Sequence, residues 1–239
     1  MNRKMMIGVI IMAAAMVFSG CGMNQDGYKE QAARLLNEKY DEVFVIDKYL
    51  GQEHMNDYYE VQAYSENYPA VLFEAKAAKD GSTISDEYVA ARVCYTIEKQ
   101  IQSNIESLPG YMQIDVHAVS NSIDSSDADM TPKQFAELKT KNKYVVYIHY
   151  CPQEFDADRV YEVILNSMNG LDYLSGRIRF YIVEEEVLSQ VQNYLEEYAN
   201  LYYDYEELLE DSVCIEIPFE NGSVNMSKEE FVKKAGGRL

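Results

Sequence analysis

Three histidines (His54, His117 and His149) and three cysteines beyond residue 21 (Cys94, Cys151 and Cys214) are the side chains best suited to metal or nucleophile chemistry. His149 and Cys151 stand two apart in a β-forming run, Tyr144 to Cys151, so they share one face of a strand. Such a pair is half of a metal site, or a thiol beside a base. A full site needs more ligands, and His117 on a neighbouring strand is a candidate. No C-x-x-C, H-E-x-x-H or H-x-x-x-H spacing accompanies the pair. The plainer reading is a strand face of tyrosine and histidine without chemistry. An odd number of thiols outside residue 21 leaves disulfides open for an exported chain. Cys94 lies among apolar neighbours, where a free thiol behaves as a small buried hydrophobe, and we favour three reduced, packed thiols.

Acidic clusters form a second group. Asp124, Asp127 and Asp129 lie in a serine-rich stretch, Glu184 to Glu186 precede an apolar-periodic run, and more acids fall between Asp204 and Asp211. A calcium loop needs oxygen ligands at fixed spacing and a turn glycine; the 124–129 stretch has neither. Carboxylates at a helix start complement its dipole, and solvated faces are the default elsewhere. Tyrosine occurs 21 times and Trp not at all. Exposed tyrosines stack on sugars or anchor a protein partner, while buried ones fill core edges. The pairs Tyr58-Tyr59 and Tyr202-Tyr203 point one ring inward and the other elsewhere. There is no G-x-S-x-G, no S-x-x-K, no phosphate-binding glycine loop and no G-x-G-x-x-G. Paired carboxylates of a glycosidase need no local motif, so that chemistry stays open.

Forty acidic against 21 basic residues leave a net charge of -19. Phosphate contacts require a basic surface, so nucleic-acid binding is excluded as a class. An anionic membrane surface repels such a domain, so any membrane attachment needs another cause. Net charge of this size serves solubility, or a cationic partner or a divalent cation.

The elements that position these residues follow from periodicity. Tyr28, Ala32, Leu35, Leu36 and Tyr40 recur at helical spacing. Strands are predicted at Val43–Leu50, Tyr58–Tyr64 and Ala70–Ala77, with a turn at Asp80-Gly81. A helix opening near Ser85, with Asp86 and Glu87 in its first turn, carries the stripe Val89, Val93, Ile97, Ile101, Ile105 and ends before Pro109-Gly110. Beyond it the predicted order is a strand at Met112–Val119, a loop at Asn121–Met130 and a helix at Lys133–Lys139 led by Thr131-Pro132. Then come a strand at Tyr144–Cys151, a helix capped by Asp156 and ending at Gly170, and a strand at Arg177–Val183. One long helix from Val187 to Leu208, a half-exposed strand at Val213–Ile217, and a short helix behind a Ser227-x-x-Glu230 capping box complete the chain. This order predicts an α+β fold, helices packed on antiparallel or mixed sheet. Two small subdomains are one way to divide it, 28–120 (helix, three strands, helix) and 131–239 (alternating strand and helix), with the boundary in the acidic loop.

The N-terminus carries the most specific signal. Asn2, Arg3 and Lys4 make a short positive start, and Met5 to Phe18 is an unbroken apolar or small run of 14 residues. A membrane-spanning helix needs about 20, so the run reads as a signal-peptide core. The run Phe18-Ser19-Gly20-Cys21 resembles the lipobox of bacterial lipoprotein precursors, with Phe18 in place of the usual Leu. The resemblance covers residues 1–22. It implies cleavage of 1–20 and a diacylglyceryl group on Cys21, the two-chain anchoring that stable attachment takes. It also implies a location on the extracytoplasmic face of a cell membrane. Removal of Arg3 and Lys4 takes the charge from -19 to -21. Residues 21–27 then read as a lipidated tether whose six residues after Cys21 reach at most about 20 Å.

Leu36–Ile46 (LNEKYDEVFVI) and Asp80–Val89 (DGSTISDEYV) resemble patterns in small, uncharacterised cell-envelope proteins of Gram-positive bacteria, a likeness that carries no known chemistry. The leading expectation is a membrane-anchored, non-catalytic binding or interaction module with an envelope protein as partner and no cofactor. The alternatives are an envelope hydrolase acting on glycan or peptide through carboxylates, and a metal-binding lipoprotein using His149 and Cys151.

Overall fold

The computed structural model describes residues 24–105, 108–119, 127–138, 144–201 and 203–236. Helix α1 (Gln25–Tyr40) opens the fold, and Asn24 caps it by accepting from the Gly27 N–H at 2.9 Å. The helix thus starts three residues before the apolar spacing predicts, and Gln25, Asp26 and Gly27 are helical rather than tether. The cap explains this: Asn24 satisfies a backbone donor that would otherwise be bare, and no apolar residue is needed in that turn.

Strands β1 (Phe44–Gly51), β2 (Tyr58–Ser65), β3 (Tyr68–Ala78) and β4 (Ile84–Asp86) form an antiparallel sheet in that order. Tyr59, Val61 and Ala63 of β2 alternate into the core, where Tyr59 donates to Gln31 of α1 at 2.8 Å. The structure differs from the sequence expectation at Ser85: residues 84–86 are a strand, and helix α2 (Tyr88–Asn104) begins after it. From that strand the Asp86 carboxylate joins α1 to the first N–H of α2. It accepts from Lys39 Nζ at 2.9 Å, Tyr40 Oη at 2.7 Å and the Tyr88 N–H at 3.1 Å.

The second sheet runs β5 (Gly110–Ala118), β6 (Tyr144–Pro152), β7 (Gly176–Ile182), β8 (Val213–Glu220), β9 (Ser223–Val224). Only β6 and β7 pair in parallel. A parallel pair requires a crossover, and α4 (Ala157–Ser167) supplies it, with Asp156 accepting from the Arg159 N–H at its start. Helix α3 (Pro132–Leu138) has a reciprocal box, Thr131 Oγ1 accepting from the Gln134 N–H and Gln134 Oε1 from the Thr131 N–H. Lys139, the expected end of that helix, and 121–126 of the expected loop, with Asp124, lie outside the described residues.

The expected long helix after β7 is two: α5 (Glu185–Glu197) and α6 (Tyr203–Leu208). The chain turns extended at Tyr198 (φ -125, ψ 137). What the periodicity missed is tertiary: Ala199 spends its N–H on a side chain of the other sheet, described below. Helix α7 (Lys228–Gly236) closes the chain with Ser227 Oγ accepting from the Glu230 N–H.

The architecture is therefore α+β, with two sheets and helices packed on them. Ile97 and Ile101 of α2 are fully buried, and one core cluster includes Val61, Phe73, Ile97, Val116, Ile148 and Phe180 from both sheets. Within the second sheet the alternation is strict. Ile114, Val116, Ile148, Phe180 and Ile215 face this core; Asp115, His117, Tyr147, His149, Tyr181 and Cys214 point the other way. Helices α5 and α6 cover that second, polar-aromatic face as a strap.

Candidate functional site

The strap separates two hollows. Under residues 195–201, at the junction of β3, α2 and β5, lies a cavity of about 110 Å³. It is lined by Glu87, Cys94 and Glu98 of α2 and its N-cap, Asp115 and His117 of β5, and the strap itself. Beyond Leu201, which borders both, a groove of about 600 Å³ runs along Tyr147, Arg179, Tyr181, Tyr205 and Cys214.

In the smaller cavity His117 Nε2 hydrogen-bonds the Asp115 carboxylate, two positions along the same strand face. Burial pulls the His117 imidazolium down. The Asp115 charge and hydrogen bond, with Glu87 and Glu98, outweigh it, so His117 titrates above its ordinary value. Glu98 is pushed up to about 7, first by burial and then by the Asp115 charge. Its remaining contacts are Lys99 Nζ at 3.4 Å and Gln102 Nε2 at 2.9 Å. Burial likewise holds the Cys94 thiol at about 12, which leaves it protonated and inert at neutral pH.

These shifts give a signed expectation. The fold favours protonated Glu98, so the stability it contributes is present below about pH 4.5 and lost as pH rises through about 7. Glu98→Gln, which cannot ionise, should melt higher than the parent chain at pH 8, by a margin that shrinks sharply at pH 5. A thermal scan at both pH values checks this; equal differences at both would remove the ionisation argument.

His149 is fully buried. Its ring lies between Tyr147 (centroids 6.4 Å, 3° between planes) and Tyr181 (5.4 Å, 11°), and Tyr205 of α6 meets it edge-on with its hydroxyl on Nε2. Cys151 packs at the margin of the same strap cluster, and Cys94, Cys151 and Cys214 form no disulfide with one another. The sequence pairing of His149 with Cys151 is thus met in space as a shared face. His117 lies opposite Val145 and His149 opposite Gln113, so Asp115 and Tyr147 intervene. Among the described residues no group of three or more His, Cys, Asp or Glu side chains could hold a metal ion. Of the other sequence candidates, Asp127 turns inward on its own loop to accept from the Asp129 N–H. Glu184 stands at the N-cap of α5 without a side-chain cap bond. Tyr59 is the inward ring of its pair. Cys21 and Tyr202 lie outside the described residues.

The strap is fastened to the first sheet. Gln62 of β2 is fully buried on the face away from α1. Its Nε2 donates to Asp47 Oδ2 and to the Glu197 carbonyl, each at 2.9 Å, and its Oε1 accepts from the Ala199 N–H at 2.8 Å. Lys48 Nζ adds the Glu197 carboxylate at 3.0 Å and sits 4.1 Å from the Tyr198 ring centroid. Neither Gln62 nor Glu98 carries a sequence signal of its own. The one available hint is that Glu98 directly follows Ile97 of the buried stripe.

Comparison with known proteins adds the fold alone. No family model and no curated protein matches the chain. Among solved structures, the chain is similar to the crystal structure of a DUF5037 family protein from Ruminococcus gnavus. The TM-score is 0.68 at 14% identity, over 87% of this chain and 99% of that one.

Proposed function

We propose that the chain is a lipid-anchored extracytoplasmic lipoprotein whose folded part is a non-catalytic binding module. The anchor rests on the run Phe18-Ser19-Gly20-Cys21 behind a 14-residue apolar segment. The choice of binding over catalysis rests on one observation: Glu98 and His117, whose environment raises their pKa values, and the space able to hold a ligand are in different places. Ligand sites occupy roughly 300–1,000 Å³. The cavity with Glu98, Asp115 and His117 measures about 110 Å³. The groove of about 600 Å³ presents tyrosine faces, Arg179 and the exposed side chains Glu206 and Glu210.

Membrane fractionation of cells making the full chain or Cys21→Ser tests the anchor, with mass spectrometry of the N-terminal peptide. The parent chain is expected in the membrane fraction with a lipid-modified Cys21, and the variant in the soluble fraction. Identical partition of the two removes the anchor. Cross-linking on intact cells tests the module, and one dominant envelope protein is the expected product.

A second reading, an envelope hydrolase using carboxylates, is favoured by Glu98, whose pKa near 7 suits a general acid. Purified protein that leaves cell-wall glycan and peptide fragments intact would eliminate it.

A further inference from the structure

We propose that the protein turns one end of its first sheet to the bilayer, the end made by the β1–β2 turn (52–57) and the β3–β4 turn (79–83). Its partner there is the phospholipid headgroup layer, and the cavity under the strap lies toward the opposite end. The inference rests on the lipid-anchor reading and deepens it.

The geometry begins at Asn24. The α1 cap follows Cys21 by three positions, so the lipidated residue lies within about 10 Å of the start of the helix. The first turns of α1 sit beside the two loops. Tyr28 stacks on Tyr49 near the end of β1 (5.8 Å, 8°), and Lys29 Nζ donates to the Asp47 carbonyl at 3.2 Å. Arg34 reaches the Gly81 carbonyl at 3.5 Å. The loops are joined to each other, the Lys79 N–H donating to the Asp57 carbonyl at 3.0 Å. The last turn of α1 packs at the other end, where the Asn37 side chain accepts from the Phe44 N–H.

A tether this short keeps the start of α1, and the end of the sheet beside it, close to the anchor. The end it holds down carries Met55, a large apolar side chain 85% exposed, at the tip of the β1–β2 turn. Glu53, Asp57 and Asp80 outnumber Lys79 in the two loops, so charge does not draw this end to an anionic leaflet. Tether length and Met55 set the contact. The cavity lies by Ala70 to Phe73 of β3, and Ala70 stands eight residues from Ala78, about 25 Å along the strand.

The chain contains no Trp, so a single introduced one is a clean probe. Full chain lipidated on Cys21 is placed in phosphatidylcholine vesicles, with or without bromine high on the acyl chains. The probes are Met55→Trp and Glu66→Trp, the latter in the exposed β2–β3 turn. Vesicle flotation comes first, and a chain that does not float removes the anchor reading and this inference with it. For a chain that floats, bromine should quench Met55→Trp at least twofold and leave Glu66→Trp unchanged. Equal quenching of both, or of neither, overturns the orientation while the anchor stands.

Discussion

His149→Phe should cost stability at neutral pH and cost almost none at pH 5. In the parent chain Tyr205 has its hydroxyl on His149 Nε2 in a fully buried position. A phenyl ring keeps the packing between Tyr147 and Tyr181 and leaves that hydroxyl bare, a loss of about 1–3 kcal/mol. Burial brings the His149 pKa down from 6.5 to about 4. The groups facing it are Tyr205 from α6, Tyr181 and Arg179 from β7, Asp115 from β5 and Tyr147 on its own strand. The attraction of Asp115 does not offset the desolvation. A depressed histidine pKa means that the unfolded chain binds the proton first. Stability is full above about 6.5 and declines as pH falls toward 4, by about 2 kcal/mol between pH 7 and pH 5. The variant lacks this slope, so the gap between the two proteins closes on acidification. Urea midpoints with unchanged m-values at the two pH values measure it. The sequence pI of about 4.5 sets the lower limit of the range. A gap that stays constant would show that His149 does not titrate as its burial requires.

The second large effect belongs to Gln62. Leucine at this position fills similar space and removes three hydrogen bonds, to Asp47, the Glu197 carbonyl and the Ala199 N–H. At about 1 kcal/mol each, the loss is about 3 kcal/mol. It is directed at one element: the strap 185–209 loses its fastening while the core under α2 keeps its contacts. Hydrogen exchange of strap amides should rise on the order of 100-fold, with β6 amides unchanged. Unaltered strap exchange would mean that Lys48 and the Tyr205–His149 contact suffice to hold it.

The two halves of the fold were unequally legible. Strands and helices announced by alternation or a four-residue stripe appear where the residues place them: Tyr144 to Cys151 lies in β6, and Val89 to Ile101 in α2. Local chemistry was also readable, since Asp156, Thr131 and Ser227 all cap helices through hydrogen bonds within three residues. What failed depended on distant partners. The apolar pattern from Val187 to Leu208 supports one helix, and the break at Tyr198 exists because Gln62 takes up the next backbone donor. The candidate site has the same character. Asp115 and His117 look like the solvent side of an alternating strand, and only the strap and α2 turn that side into a lined cavity. Periodicity reports which face is apolar; it does not report what covers a polar one.

The Gln62–Ala199 bond has a consequence for how the chain folds. Its partners are 137 positions apart, so it closes one of the longest loops in the molecule, and loop closure grows more costly with length. Hairpins such as β1–β2 and β2–β3 close early by comparison. The fastening to Gln62 is therefore expected to close after the hairpins, and until the strap docks Tyr147, His149 and Tyr181 are bare. The speed of strap docking sets how long this aromatic face stays open to proteases and to other chains.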